Sequence, residues 1–246
     1  MERKIHVGTS GWHYKHWVGT FYPEGIPAGD QLGHYLRDFA AVEINNSFYR
    51  VPQAKTFEEW NRAVPEAFIF AVKANRFFTH LKKLKVEKAD VENFIDKVDR
   101  LGKKAGPILF QLPPNWKINV ERLEEFLCKL PSHHRYTFEF RNSTWYQDDV
   151  YECLGRFNAA FCIYELAGHH SPLWVTADFV YTRLHGPGDK YQGSYSNEQL
   201  QEWASQCLQW QQTGKEVYVF FDNDEKGYAA HNARQLSKVL HLRRSV

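Results

Sequence analysis

The sequence predicts a (β/α)8 barrel, on the evidence of eight short apolar runs and a cluster of polar residues after each run. The runs are spread between Ile5 and Phe221 and mostly alternate with stretches of helical spacing. Runs of this length, rich in Val, Ile, Phe and Tyr, suit strands that are buried on both faces of a parallel sheet. The 246 residues also match the size of a minimal barrel. The polar clusters then fall at the C-terminal ends of the strands, where such barrels carry their sites.

Helical spacing follows each of the first three strands. We predict a helix over about 30–39, a second between Pro52 and Pro65, and a third over 91–101 that is closed by Gly102. These segments fit the helices that would alternate with parallel strands.

The second half of the chain continues the alternation, with one exception. Asn119 and Ser196 are predicted to cap helices, a further helix follows the fifth strand, and the last helix covers about 229–240. The segment between the sixth and seventh strands, AGHHSPLWVTAD, shows no helical pattern, so we predict an irregular connection there. Because no linker or composition shift appears, 1–246 is predicted to be a single domain.

Composition argues for a globular protein without a membrane span. Hydrophobic residues make up 43% of the chain and the net charge is only +2. No apolar stretch approaches the ~20 residues that cross a bilayer. The N-terminus leads straight into the first strand without room for a signal peptide, and the four cysteines form no C-x-x-C pair. We therefore expect a cytoplasmic protein with reduced thiols; the oligomeric state stays open.

Glu43 ends the second strand, and Glu139 and Arg141 end the fifth. Two carboxylates at a barrel mouth suit an acid and a base, or a shared metal. Alternatively, each carboxylate pairs with a neighbouring Lys or Arg. Glu139 and Arg141 share one side of their strand because side chains alternate, so an ion pair is as well supported as catalysis. A buried Glu139 is expected to have a cationic partner.

Several cations close other strands and predict a small anionic ligand. Lys73 ends the third strand, and Arg183 and His185 end the seventh; together with Arg141 they suit a phosphate or carboxylate group. His185 is also the third candidate catalytic residue, beside the two glutamates. The glycine-rich segment HGPGDKYQGSY after Arg183 suits a phosphate loop, or else a flexible turn.

The remaining candidates would orient or enclose this ligand. Asn45 and Asp222 follow strands and are predicted to orient it. Trp12, Tyr49 and Trp145 adjoin strand ends and are predicted to wall the pocket, although most of the 16% aromatic residues should be core. No Walker loop, nucleophile elbow or GxGxxG fingerprint appears, so we expect no cofactor.

The histidines do not predict a metal centre. His133 and His134 are adjacent, as are His169 and His170, so the side chains of each pair are expected to diverge. The first pair also precedes its strand, at the opposite end from the predicted site. Only His185 stands at a strand end, whereas a zinc centre needs several converging ligands. We therefore expect no built-in metal.

Nucleic acid is the alternative partner. The loop from Arg76 to Lys88 carries Phe77, Phe78 and several lysines, a composition that can follow a nucleic-acid backbone. A basic run of this kind is more often a solvated face.

Segments spread over nearly the whole chain resemble the YecE-like proteins, a family catalogued as domain of unknown function 72. The segments are GTSGWHYKHWVGTFYP, VEINNSFYRVP, FAVKANRFFTH, ILFQLPPNW, FEFRNSTWY, YTRLHGP and VYVFFDND. The resemblance implies a (β/α)8 barrel but no established activity, so it carries over no catalytic residues. A likeness to endonuclease IV-type barrels within the family implies DNA binding. This chain lacks the many His ligands of their trinuclear zinc site, so nuclease activity by that route is not expected.

Overall fold

The computed structural model describes residues 4–244, and their strand order is that of a (β/α)8 barrel. The order across the sheet is β1-β8-β7-β6-β5-β4-β3-β2, and a parallel bridge between Ser10 and Glu43 pairs the first strand with the second. The predicted fold class is therefore confirmed. The strands are β1 Ile5–Thr9, β2 Ala41–Ile44, β3 Ile69–Lys73, β4 Ala105–Leu112, β5 Tyr136–Phe140, β6 Ala160–Leu166, β7 Phe179–Leu184 and β8 Glu216–Phe221.

Seven α-helices lie between and after the strands in the described part of the chain. The first is much shorter than the predicted 30–39, because its hydrogen bonds tighten: Leu36 N still bonds to Leu32 O at 3.0 Å, but Arg37 N bonds to His34 O at 3.1 Å. The helices are α1 Gln31–Tyr35, α2 Ala54–Ala63, α3 Lys88–Val98, α4 Val120–Leu127, α5 Asp148–Arg156, α6 Asn197–Gln212 and α7 Tyr228–Arg244.

Both predicted caps are confirmed. The Asn119 side chain accepts a hydrogen bond of 2.7 Å from Arg122 N at the start of α4. Ser196 and Gln199 form a reciprocal capping box at the start of α6, with bonds of 3.2 and 2.9 Å. The helix starts were thus readable from local sequence.

The connection between β6 and β7 is irregular, as predicted. Described residues 167–178 contain no helix. Instead, His169–His170 forms a two-residue strand that pairs antiparallel with the end of β6. Ser171 N then bonds to Tyr164 O at 2.9 Å and fixes the return of the chain.

The described residues fall into two compact units. The first unit takes those within Met1–Glu43, Ile163–Ser171 and Asp178–Val246, and the second takes Ile44–Cys162 and Pro172–Ala177. In the first unit, Gly8 allows β1 to approach the start of β2, since a Cβ there would lie 2.1 Å from Ala41 O. The second unit is packed around aromatic side chains: Phe70, Phe78, Phe110, Phe126 and Phe138. The single-domain assignment stays a prediction.

Among the described helices, none combines the length and the apolar character that a membrane crossing requires.

Candidate functional site

A buried ion pair joins β2 to β7 in the first unit. Glu43 and Arg183 are both fully buried, and Arg183 Nη2 and Nε lie 2.8 and 3.2 Å from Glu43 Oε1. Ser10 Oγ donates to the same oxygen at 2.7 Å, and Tyr181 OH donates to Oε2 at 2.6 Å. Both oxygens of Glu43 are therefore occupied, which matches the ion-pair alternative stated for this residue.

Asp222 and His185 extend this pair into what we call the Glu43–Arg183 network. Asp222 Oδ2 lies 3.0 Å from Arg183 Nη2 and 3.0 Å from His185 Nδ1, and His185 Nε2 lies 3.4 Å from Arg183 Nη1. The Asp222 side chain is 15% exposed, whereas His185 is fully buried. An imidazole held against a carboxylate is an arrangement for proton transfer, and Asp222 is the member nearest to solvent.

Two backbone donors of the glycine-rich loop after β7 bond to groups of the protein. Gly186 N donates to Tyr195 OH at 3.0 Å, and Gly193 N donates to a Glu225 carboxylate oxygen at 3.4 Å. Gly186 has a φ of +105°, and a Cβ there would lie 2.1 Å from Gln192 O. These contacts fit the turn interpretation of the loop better than a phosphate cradle.

Buried amides join this loop to α7. Asn232 is fully buried, and its Oδ1 accepts from Tyr195 N at 3.1 Å and from Asn223 Nδ2 at 2.8 Å. Asn223 Nδ2 also donates to Gly193 O at 2.9 Å. The two asparagines thereby hold Ser194 beside the first turns of α7, where Asn232 Nδ2 lies 3.1 Å from Ser194 Oγ.

A cavity of about 320 Å³ lies at the start of α7, and we call it the α7 cavity. Arg234 Nη2 pairs with Asp38 at 2.6 Å, while its Nε is buried without a hydrogen-bond partner among the described residues. Lys226 and His231 are exposed. The N-terminal turn of a helix favours anions, and the cationic side chains of Lys226 and Arg234 add to that effect. The lining residues are Thr20, Phe21, Ser194, Lys226, Gly227, Tyr228, His231 and Arg234.

Asp224 ties the loop after β8 to the loop after β1. Its Oδ2 lies 2.9 Å from His16 Nε2, and its Oδ1 accepts a hydrogen bond from the Nε1 of the buried Trp17. Burial raises the pKa of Asp224 to about 6, against the opposing effects of Trp17 and His16. This junction is therefore sensitive to pH.

Glu139 and Arg141 pair with each other in the second unit. Arg141 Nε donates to Glu139 Oε1, and both side chains are buried. The cationic partner expected for Glu139 is thus confirmed, as is the prediction that the two share one side of the strand. Cys162 Sγ lies 3.8 Å from Glu139 Oε2.

Lys73 belongs to a cationic and aromatic group that we call the Phe48 cluster. Lys73 Nζ lies 4.5 Å above the ring centroid of Phe48, and the rings of His80 and Tyr49 meet Phe48 edge-on at 5.0 and 5.1 Å. Tyr49 is 73% exposed. Burial, and then the like charges of Lys73 and Arg76, lower the pKa of His80. The cluster therefore combines positive potential with an exposed ring.

The other predicted pocket residues differ in their surroundings. Asn45 precedes the Phe48 cluster, and its Oδ1 is buried without a hydrogen-bond partner among the described residues. Trp12 is half-buried. Trp145 is fully buried and stacks on Phe140 with ring centroids 4.8 Å apart, so it packs as core in this structure.

Sequence reasoning missed residues that complete these groups. Tyr181 stands two residues before Arg183, so the alternation of the strand places both on one face; this pattern could have identified it. Ser10 directly follows β1 and could have been found by its position. Nothing local in the sequence shows that Asn223 and Asn232 meet.

One expectation about the histidines was wrong. His133 and His134 do not diverge: their Nε2 atoms lie 3.3 and 2.7 Å from the same Asp99 oxygen, Oδ1. Both rings contact the carboxylate of Asp99, which lies 34 and 35 positions away in the sequence.

A protein-family model matches residues 6–246, and its description is a protein of unknown function, DUF72. Among curated proteins, UPF0759 protein YunF of Bacillus subtilis (strain 168) is 27% identical, with 97% of this chain and 95% of that protein covered.

Solved structures show the same similarity. A DUF72 family protein from Thermotoga maritima is 30% identical with a TM-score of 0.88, covering 97% of this chain and 99% of that one. A DUF72 family protein from Enterococcus faecalis V583 is 22% identical with a TM-score of 0.81, covering 96% and 95%. A methyltransferase from Methanosarcina mazei, 9% identical with a TM-score of 0.56 over 99% and 94% of the chains, shares the fold alone.

We expect Glu43→Gln to lower the free energy of unfolding by about 3 kcal/mol, because it removes a buried carboxylate that pairs with the buried Arg183 guanidinium. Urea denaturation measures the change. Glu59→Gln is the matched control, since Glu59 makes only an exposed pair with Lys55 and should cost less than about 0.5 kcal/mol. If Glu43→Gln and Glu59→Gln have equal free energies of unfolding, the stabilising role assigned to Glu43 is contradicted.

Asp224→Asn should alter how stability depends on pH. The folded-state pKa of about 6 exceeds the ordinary 3.8, so the native protein holds this proton more tightly than the unfolded chain. The resulting stabilisation is complete below pH 3.8 and is lost as the pH rises through 6. Urea denaturation over this range should show the wild type losing stability relative to Asp224→Asn, and no such trend for the exposed Asp30→Asn. If the stability difference between the wild type and Asp224→Asn does not change with pH, the raised pKa of Asp224 is contradicted.

Proposed function

The chain belongs to the DUF72 family, and since the description of that family names no function, we propose one from the site itself. The protein binds a small anionic ligand, phosphorylated or carboxylated, in the α7 cavity. The observation that carries the proposal is a cavity of about 320 Å³ whose lining joins Lys226, His231 and Arg234 to the first turn of α7.

Charge and hydrogen bonding both favour an anion in this cavity. The helix N-terminus offers backbone N–H groups that have no partner within the helix. Arg234 adds a guanidinium whose Nε is buried without a partner among the described residues, although Asp38 takes its Nη2. Ser194 and Thr20 supply hydroxyl groups in the lining. Loops after the seventh and eighth strands bind phosphate in many barrels of this class.

The predicted anion ligands Arg141 and Arg183 are less suited to this role. Carboxylates hold both guanidinium groups: Glu139 contacts Arg141, and Glu43 and Asp222 contact Arg183. An anion would have to compete with these carboxylates for the same donors. The proposal therefore rests on the α7 cavity and assigns those arginines to buried ion pairs.

Any acid/base chemistry is assigned to His185 and Asp222. Glu43 and Glu139 are fully buried and held by arginine, so solvent reaches neither carboxylate. Asp222 is partly exposed and its carboxylate lies 3.0 Å from His185 Nδ1, so this pair combines a buried imidazole with a carboxylate that solvent can reach. No step of this chemistry requires a metal ion.

Nucleic acid is the second candidate partner, and the Phe48 cluster favours it. Tyr49 is the most exposed large aromatic side chain of the described residues, and it contacts Phe48, whose ring lies under Lys73 Nζ. Lys82 Nζ also lies 5.7 Å from the Phe77 ring. Exposed rings among cations are the elements that bind single strands without sequence preference.

Lys226→Gln is expected to weaken the binding of pyrophosphate about tenfold or more, because a hydrogen bond to a charged group contributes about 1.5–3 kcal/mol. Isothermal titration calorimetry at low ionic strength measures the dissociation constant. Lys238→Gln is the matched control: this exposed lysine lies on the same helix but does not line the cavity. Equal affinity of the two variants, or no binding of pyrophosphate by the wild type, would overturn the assignment.

Tyr49→Ala is expected to weaken binding of a short single-stranded oligonucleotide by about 5- to 150-fold, since stacking contributes about 1–3 kcal/mol per base. Fluorescence anisotropy with a labelled oligothymidylate measures this, and binding should weaken as salt is added. The exposed Trp174→Ala is the control. If the wild type binds pyrophosphate but no oligonucleotide, the second candidate is rejected and the first stands.

A further inference from the structure

Three side chains that can bind a metal meet outside the sites described above. Asp99 begins the 3-10 helix Asp99–Lys104, directly after α3, and His133 and His134 lie in the turn that precedes β5. All three belong to the second unit. This Asp99 cluster adjoins the N-terminal end of β5, whereas the candidate sites follow the C-terminal ends of their strands.

The donor atoms of the Asp99 cluster converge on one point. His134 Nε2 and His133 Nε2 lie 2.7 and 3.3 Å from Asp99 Oδ1, and one donor atom from each of the three residues lies within 4.8 Å of the other two. The two imidazole rings have centroids 4.4 Å apart, at an interplanar angle of 45°. His133 is exposed and could be satisfied by water, yet its Nε2 faces the same oxygen as that of His134.

This spacing is close to the spacing of donor atoms around a small divalent ion. In a tetrahedral site with bonds of about 2.0–2.2 Å, neighbouring donors lie roughly 3.3–3.5 Å apart. The distance from Asp99 Oδ1 to His133 Nε2 already has this value. The shorter distance to His134 has to grow by only roughly 0.6 Å, which rotation of the half-exposed Asp99 carboxylate can supply.

We propose that Asp99, His133 and His134 bind one divalent transition-metal ion, with Zn²⁺ the best match. Two imidazoles and one carboxylate suit zinc and its neighbours in the first transition row, whereas Mg²⁺ and Ca²⁺ prefer oxygen donors throughout. Three protein ligands leave a coordination position for water, as in open zinc sites.

Space for that further ligand is present. The side chains of His133 and Asp99 are 58% and 42% exposed, so solvent reaches them. The site is therefore open on one side, and the ion is expected to exchange with solution rather than to be locked into the fold.

The test uses the full chain without an affinity tag, stripped with a chelator, and titrates it with Zn²⁺ by calorimetry and with Co²⁺ by visible absorption. We expect one ion per chain and the intense d–d bands of tetrahedral Co²⁺. Asp99→Asn and His133→Asn should each weaken Zn²⁺ binding about tenfold or more, since even groups that only orient a ligand cost 10- to 100-fold. His133 is exposed, so its variant should fold.

The chain supplies its own control. His169 and His170 form a second adjacent pair, and the double variants His133→Asn/His134→Asn and His169→Asn/His170→Asn remove the same number of imidazoles. Only the first should abolish the stoichiometric site, with far-UV circular dichroism unchanged in both. The proposal is overturned if the wild type binds no Zn²⁺, or if the two double variants lose binding equally.

Discussion

The buried guanidinium of Arg183 is the constraint on which the first unit depends. A buried charge has to be compensated by the groups around it, and the partners of this guanidinium include Glu43, Asp222 and His185. These partners come from β2, from the loop after β8 and from just beyond β7. Through this one side chain, the ends of these strands are held near one another. Ser10 and Tyr181 add hydrogen bonds to Glu43.

The cations of the protein differ in whether a buried carboxylate already pairs with them. Arg183 and Arg141 are fixed by carboxylates and act as parts of the scaffold. Lys226 and His231 instead line a cavity at a helix N-terminus, where the backbone adds positive potential. Anion recognition is thus favoured at Lys226, in a cavity whose lining among the described residues contains no carboxylate, although Arg141 and Arg183 carry the same charge.

The sequence predicts features that depend on one segment, but it does not predict which distant residues pair. The positions of the strands, the Asn119 and Ser196 caps and the shared side of Glu139 and Arg141 follow from local patterns, which a single segment contains. The pairing of buried charges does not follow from local patterns, because Glu43 and Arg183 are 140 positions apart. The position of Arg234 over the α7 cavity depends in the same way on Asp38, 196 positions away.

The Asp99 cluster shows why such distant encounters matter for function. The side chains of adjacent histidines are expected to diverge unless both contact the same group. Asp99, which lies 34 and 35 positions from His133 and His134, contacts both of them. An ion held there would bind the native chain more tightly than the unfolded one, since only folding brings Asp99 to the turn before β5. It would then stabilise the second unit by mass action, by about 2.7 kcal/mol at a free concentration 100 times its dissociation constant. Because the α7 cavity lies in the first unit and uses other residues, stabilisation by metal and binding of an anion are separable by mutation, so each can be present without the other.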